Sequence, residues 1–183
     1  MLTIVPMNAE NQRYLNQVDA RFLAGSRVQL KVTRLGFLTD YVPIPTAEWR
    51  SVKPYAPEGE SWLSDPSLAC YLAFVDGTLA GQSVVCKGQN RLCDVLDIRT
   101  DSRFRRQGVG MQLIHTCIEW AQRKGFAGMR AELTDELPLA CQFMEGIGFT
   151  LGGVDKLLHT AQPDQQRRVP ATRETVLAFY RFF

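Results

Sequence analysis

The sequence predicts an α/β chain of the α+β kind: a single domain over residues 1–183 with a mixed, mostly antiparallel sheet flanked by helices. Three observations predict it. Two short apolar runs, Leu68 to Val75 and Leu79 to Cys86, flank Asp76-Gly77, the signature of a two-residue hairpin. A third run, Leu92 to Thr100, passes through a basic, glycine-bearing turn into a helical stripe of Val109, Leu113, Ile114, Cys117, Ile118 and Ala121. A further strand-like run, Met129 to Thr134, follows that helix, and a strand–helix–strand crossover makes its two strands parallel.

Taken in order, Leu2 to Val5 reads as a first strand ended by Pro6. Asn8 is a candidate cap for a helix to about Leu23, with Tyr14, Leu15, Val18 and Phe22 at helical spacing and Gly25 closing it. Arg27 to Phe37 alternates in part, as a half-solvated strand does. Thr39 to Asp65 is of another kind. Pro43, Pro45, Pro54 and Pro57 forbid a long helix or a central strand there. Tyr41, Trp49, Tyr55 and Trp62 are interleaved with Asp40, Glu48, Glu58 and Glu60. Such a loop either closes over a cationic guest or is a surface connection whose aromatics cap the core. Beyond the hairpin, the helix from Gly108 ends near Lys124-Gly125, where a C-terminus favours a cation and a glycine. Thr134 or Asp135 is the candidate cap of a second helix through Ile147, with Leu139, Ala140, Phe143, Met144 and Ile147 on one face. Two last strands, about Thr150 to Leu158 and Thr175 to Phe182, flank a polar loop with Arg167 and Arg168.

Bulk properties exclude several classes. A formal charge of +2 gives no overall case for nucleic-acid binding. No apolar run is long enough for a membrane span, and Met1 to Glu10 does not read as a secretory leader. Cys70, Cys86, Cys93, Cys117 and Cys141 are odd in number and contain no Cys-x-x-Cys, so neither a disulfide framework nor a metal site is expected. Buried thiols in a reducing cytoplasm are the expectation.

The chemistry points to Arg105-Arg106-Gln107-Gly108-Val109-Gly110-Met111. A helix start offers free backbone N–H groups and the positive end of its dipole, here beside two or three guanidinium groups counting Arg103. A side chain at Gly108 or Gly110 would hold a phosphate off the backbone. The pattern fits a diphosphate. It is not a dinucleotide fingerprint, because Leu113 stands where a third glycine belongs, and it lacks the Gly-Lys-Ser/Thr of a triphosphate loop.

With Asp97-Ile98-Arg99-Thr100 before this turn and a helix from Leu139 to Ile147 closing on Gly148-Phe149, the chain resembles the GNAT superfamily of N-acyltransferases over about half its length. The resemblance implies that the turn binds the diphosphate of acetyl coenzyme A through Arg105 to Met111. It also implies that the strands Leu92 to Thr100 and Met129 to Thr134 splay, and that the pantetheine arm pairs with the backbone around Ile98, Arg99 and Thr100. A narrower resemblance is to streptothricin acetyltransferases. It rests on Ala131-Glu132, Ala140-Cys141, Gly148 to Asp155 and the terminal Glu174 to Tyr180. It implies a small cationic amine as acceptor. Members of the superfamily often dimerise, so a homodimer is allowed. Two positions depart from the family pattern: Met144 stands where a proton-donating tyrosine is usual, and Leu137-Pro138 where an asparagine is often found.

The implied reaction is direct acyl transfer to an amine. A lysine-like ammonium has a pKa near 10.4 and must lose a proton before it attacks, and a carboxylate facing the thioester could collect it directly or through a water. Glu132 is the first candidate, as base or as anchor for the ammonium, and Asp97 the second; Asp94 enters only if its strand carries a bulge. His115 and His159 have no predictable partner, and Cys141 has no base oriented toward it. Two alternatives share the fold: a protein or peptide N-acetyltransferase, and a non-catalytic coenzyme A-binding module, the latter motivated by Met144.

Overall fold

The computed structural model describes residues 1–57, 62–157 and 174–183. Glu58, Glu60, Leu158, His159, Arg167 and Arg168 lie outside the described residues. The described chain forms β1 (Leu2–Pro6), β2 (Phe22–Thr33), β3 (Gly36–Arg50), β4 (Leu68–Val75), β5 (Thr78–Lys87), β6 (Leu92–Thr100), α1 (Val109–Arg123), β7 (Gly128–Thr134), α2 (Pro138–Gly146), β8 (Thr150–Asp155) and β9 (Val176–Phe182). Short 3-10 turns stand at Gln12–Tyr14, Trp62–Ser64 and Ser102–Phe104. The chain packs as two compact units. One is Met1–Phe22, Arg50–Met129 and Phe182–Phe183; the other is Leu23–Trp49 and Arg130–Arg181.

In the first unit β1, β4, β5 and β6 are consecutive antiparallel neighbours. The hairpin at Asp76-Gly77 is as expected, with Val75 opposite Thr78. One sheet face meets α1, whose stripe of Val109, Leu113, Ile114, Cys117, Ile118 and Ala121 is buried. Gly81 sets how closely they approach: a Cβ there would lie 2.9 Å from the Leu113 side chain and 3.1 Å from that of Val109. The other face carries Cys70, Leu72 and Val84, which with Met7 form a core under Tyr14, Leu15, Tyr55 and Trp62. In the second unit β7, β9 and β8 are neighbours in that order, and Cys141 and Met144 of α2 are buried. The β2–β3 hairpin forms a separate two-stranded sheet.

Three expectations are corrected. The helix from Asn8 to Leu23 is absent; only the turn Gln12–Tyr14 forms. The Asn8 side chain accepts from the backbone N–H groups of Glu10 and Asn11, a local alternative to the helical ladder. Asn16 then turns left-handed at φ 61°, which ends any helix. Val18, Ala20, Phe22 and Ala24 are all buried, a period of two that coincides over a few residues with helical spacing. Gly25 accordingly lies inside β2 and closes nothing.

Second, Pro43 and Pro45 sit within a 15-residue strand, β3. They exclude a central strand, and β3 is not one: among the described residues its sheet has two strands. Two residues apart, both prolines withhold their N–H from the same edge. The first part of the segment expected to be a single aromatic and acidic loop, Thr39 to Arg50, is therefore strand, with Tyr41 and Trp49 in the second unit and Tyr55 and Trp62 in the first.

Third, α2 starts later than expected. Leu137 is its N-cap and Pro138 its first residue, where a missing N–H costs no helical bond. Asp135 instead holds the second unit together: buried, it pairs with Arg27 at 3.2 Å and accepts from the Thr175 N–H at 2.9 Å.

Candidate functional site

The site grows from the end of β6. Val85 opposes Val95 and Val84 opposes Asp97, so Leu96 is an extra residue that bulges the strand. Asp94, the candidate that needed a bulge, lies against Gly88, where a Cβ would stand 2.5 Å from its carboxylate. Past the bulge the register is regular, with Ile98 opposite Ser83 and Thr100 opposite Gly81. The Asp101 N–H donates to the Ala80 carbonyl at 2.9 Å. Alternation along the strand therefore aims the backbone groups of Asp97 and Arg99 at β5, and those of Ile98 and Thr100 at the opposite edge.

Asp101 then organises the turn. Its carboxylate is buried and accepts from the Arg103 N–H at 3.0 Å, the Arg103 Nε at 2.8 Å and the Asp19 N–H at 3.1 Å. The Arg103 hydrogen bond leads the effects that hold this carboxyl below the ordinary carboxylate range. Asp101, the N-cap of Ser102–Phe104, is not among the residues the sequence points to, because its role rests on contacts that include the distant Asp19. Arg103 is spent on it. Arg105 donates one N–H to the Arg21 carbonyl at 2.6 Å, and the Gln107 amide donates to the Arg103 carbonyl at 3.0 Å. Arg106 holds a left-handed φ of 62°, sparse for a side chain of its size.

Gly108 follows at φ 82°, with no atom within 4 Å of where its Cβ would stand. No side chain caps α1. Its first helical hydrogen bond runs from the Gln112 N–H to the Gly108 carbonyl at 2.9 Å, so the amides from Gly108 to Met111 precede the ladder. Val109 is buried and anchors this end, Gly110 follows it, and Met111 is half exposed. Amides, dipole and the Arg105 and Arg106 guanidiniums thus share one short turn, as an anionic diphosphate requires.

The two candidate carboxylates differ sharply. Asp97 and Arg99 are both buried and ion-paired, with Arg99 Nε 3.0 Å from each Asp97 oxygen. Gln82, fully buried, donates to Asp97 at 2.6 Å, and Arg99 also donates to the Lys53 carbonyl at 2.9 Å. Glu132, in β7 of the second unit, is exposed and stands 3.5 Å from Arg130. Met144 is fully buried in α2 and has no proton to give. In the same unit Tyr41 donates to Glu145 at 2.7 Å; burial and then this carboxylate push its phenol well above the usual range.

Residues 36–149 match the model of the acetyltransferase (GNAT) family. The chain belongs to that family. This acetyltransferase is 30% identical over 122 residues to streptothricin acetyltransferase A of Bacillus subtilis (strain 168), covering 63% of this chain and 70% of the relative. It is 33% identical over 135 residues to a streptothricin acetyltransferase of Escherichia coli, covering 73% and 74%. Its fold matches a Bacillus anthracis protein described as a streptothricin acetyltransferase and solved with acetyl coenzyme A. That match has a TM-score of 0.88 at 22% identity and covers 100% of both chains. The expected fold class, a single GNAT-like α/β fold, is thereby shown. Among the described residues no helix is long and apolar enough to cross a membrane.

Proposed function

We propose that this enzyme transfers an acetyl group from acetyl coenzyme A to a primary amine of a small cationic acceptor of the streptothricin class. The carrying observation is the uncapped start of α1, flanked by Arg105 and Arg106, which suits the diphosphate of the donor. Kinship to two streptothricin acetyltransferases at 30% and 33% identity supports the acceptor class.

Bound there, acetyl coenzyme A supplies the acetyl thioester. The amides from Gly108 to Met111 and the two guanidiniums hold its phosphates. The backbone groups of Ile98 and Thr100, on the side of β6 away from β5, orient the pantetheine arm and polarise the acetyl carbonyl. Glu132 collects the proton of the attacking amine, since its carboxylate is exposed and its partner sits at 3.5 Å. The nitrogen–carbon bond forms, the carbon–sulfur bond breaks, and the electron pair leaves on sulfur. A thiol pKa near 8.5 lets it depart as thiolate without a dedicated acid, as a chain with Met144 in its core requires.

The test is release of free thiol from acetyl coenzyme A with streptothricin, an aminoglycoside and a lysine-bearing peptide. Turnover is expected on streptothricin above the other two. Turnover on the peptide alone would make this a peptide acetyltransferase. Failure on all three, with coenzyme A still raising the melting temperature, would leave only a coenzyme A-binding module.

A further inference from the structure

Residues Ser51 to Pro57 have no regular structure, yet they are held against the first unit's sheet by side chains rather than by a backbone ladder. Asn16 grips Tyr55 as a neighbouring strand would: its Nδ2 donates to the Tyr55 carbonyl at 2.7 Å, and its Oδ1 accepts from the Tyr55 N–H at 3.0 Å. Gln82 holds Asn16 in turn, accepting from its N–H at 2.7 Å and donating to its Oδ1 at 3.2 Å. The same Gln82 amide donates to Asp97, which fixes Arg99, which donates to the Lys53 carbonyl at 2.9 Å. Two backbone positions of the segment, Lys53 and Tyr55, are thus fastened by one continuous polar network across β5 and β6. The Tyr55 ring adds an apolar anchor on the core and an edge-to-face contact with Trp62, centroids 6.3 Å apart.

Ordering an irregular segment costs backbone entropy at every residue. Burying Gln82, Asp97 and Arg99 adds desolvation that an apolar trio would avoid. A plain surface connection needs neither. The network also fixes charge: Asp97 and Arg99 cancel each other, so this face neither attracts nor repels a cation through a bare ionic group. What it presents is positioned backbone.

We propose that Lys53 to Tyr55 is a fixed strap forming the acceptor-side wall of the transfer site, and that Asn16 and Arg99 are its positioning residues. The strap hangs from the same stretch of β6 whose Ile98 and Thr100 backbone is assigned to the donor. The inference rests on that proposed reading of β6. Asn16 and Arg99 touch neither substrate; they set where the strap stands.

Asn16→Gly is the sharpest test, because glycine accepts the left-handed backbone at this position while removing both clamps on Tyr55. Its expected signature is amide exchange at Tyr55 at least about tenfold faster, because the bonds that hold its N–H and carbonyl are lost. With streptothricin, KM for the acceptor should rise by about the same factor, with kcat and KM for acetyl coenzyme A nearly unchanged. Arg99→Lys keeps charge beside Asp97 but loses the planar fork, and should shift both readouts in the same direction by less. Wild-type turnover on streptothricin is scored separately and bears on the proposed function. The exchange measurement needs no acceptor: unchanged exchange at Tyr55 in both variants overturns the inference whichever amine is used. Faster exchange with an unchanged acceptor KM, or with both KM values rising together, overturns it as well.

Discussion

Two strands carry the same local arrangement with opposite surroundings. In β6, Asp97 and Arg99 stand two residues apart on one face and pair. In β7, Arg130 and Glu132 do the same. The first pair has its side chains 5% and 4% exposed and is stitched to Gln82 and Lys53; the second has its side chains 30% and 45% exposed. Identical spacing therefore yields a buried structural tie in one place and an exposed ion pair in the other. The difference lies in what covers each face. A buried ion pair is costly to break from one side, whereas an exposed one contributes little and yields readily.

Substitutions break this comparison in graded steps. Asp97→Asn leaves the Arg99 charge buried without its partner and should lower unfolding stability by about 3–5 kcal/mol, read from denaturant titration. Glu132→Gln should barely change stability. It should lower kcat on the order of 100-fold, with a greater loss at neutral than at alkaline pH, because the amine is protonated at neutral pH. If Asp97→Asn lost turnover and kept its stability, the roles of the two carboxylates would have to be exchanged.

A third carboxylate, Asp101, sharpens the comparison through pH. Its folded pKa is depressed, so its contribution is present above the unfolded value of about 3.9 and fades as pH falls through the folded one. Asp101→Asn should therefore melt below wild type at pH 7, and the gap should narrow below about pH 4. A gap independent of pH would contradict the assignment. Arg130→Ala is the mildest case and should change stability by less than about 1 kcal/mol.

The contrast between the pairs also marks what the sequence can convey. The turn from Thr100 to Met111 was legible because its signals are local: glycines where the backbone must be bare, basic residues beside them, and a helical stripe directly after. Strands β4 to β7 were legible for the same reason, each bounded by its own turn residues. The partners of Asp97 were not. Gln82 lies 15 residues from Asp97 and 66 from Asn16, and only folding brings the three together. The stretch from Asn8 to Ala24 misled because burial every second residue at Val18, Ala20, Phe22 and Ala24 overlaps helical spacing, and because nothing local announces the left-handed backbone at Asn16. Pro43 and Pro45 correctly excluded a central strand, while a two-stranded hairpin leaves an edge where both are tolerated.

The start of α1 is the proposed grip on the donor. Calorimetric titration of coenzyme A into wild type and into the Arg105→Glu, Arg106→Glu double variant addresses it directly. Binding should be clear in wild type and weaker by at least about 100-fold in the variant, since two charge-assisted contacts become repulsive. Equal affinity in the two proteins would contradict the assignment of this turn.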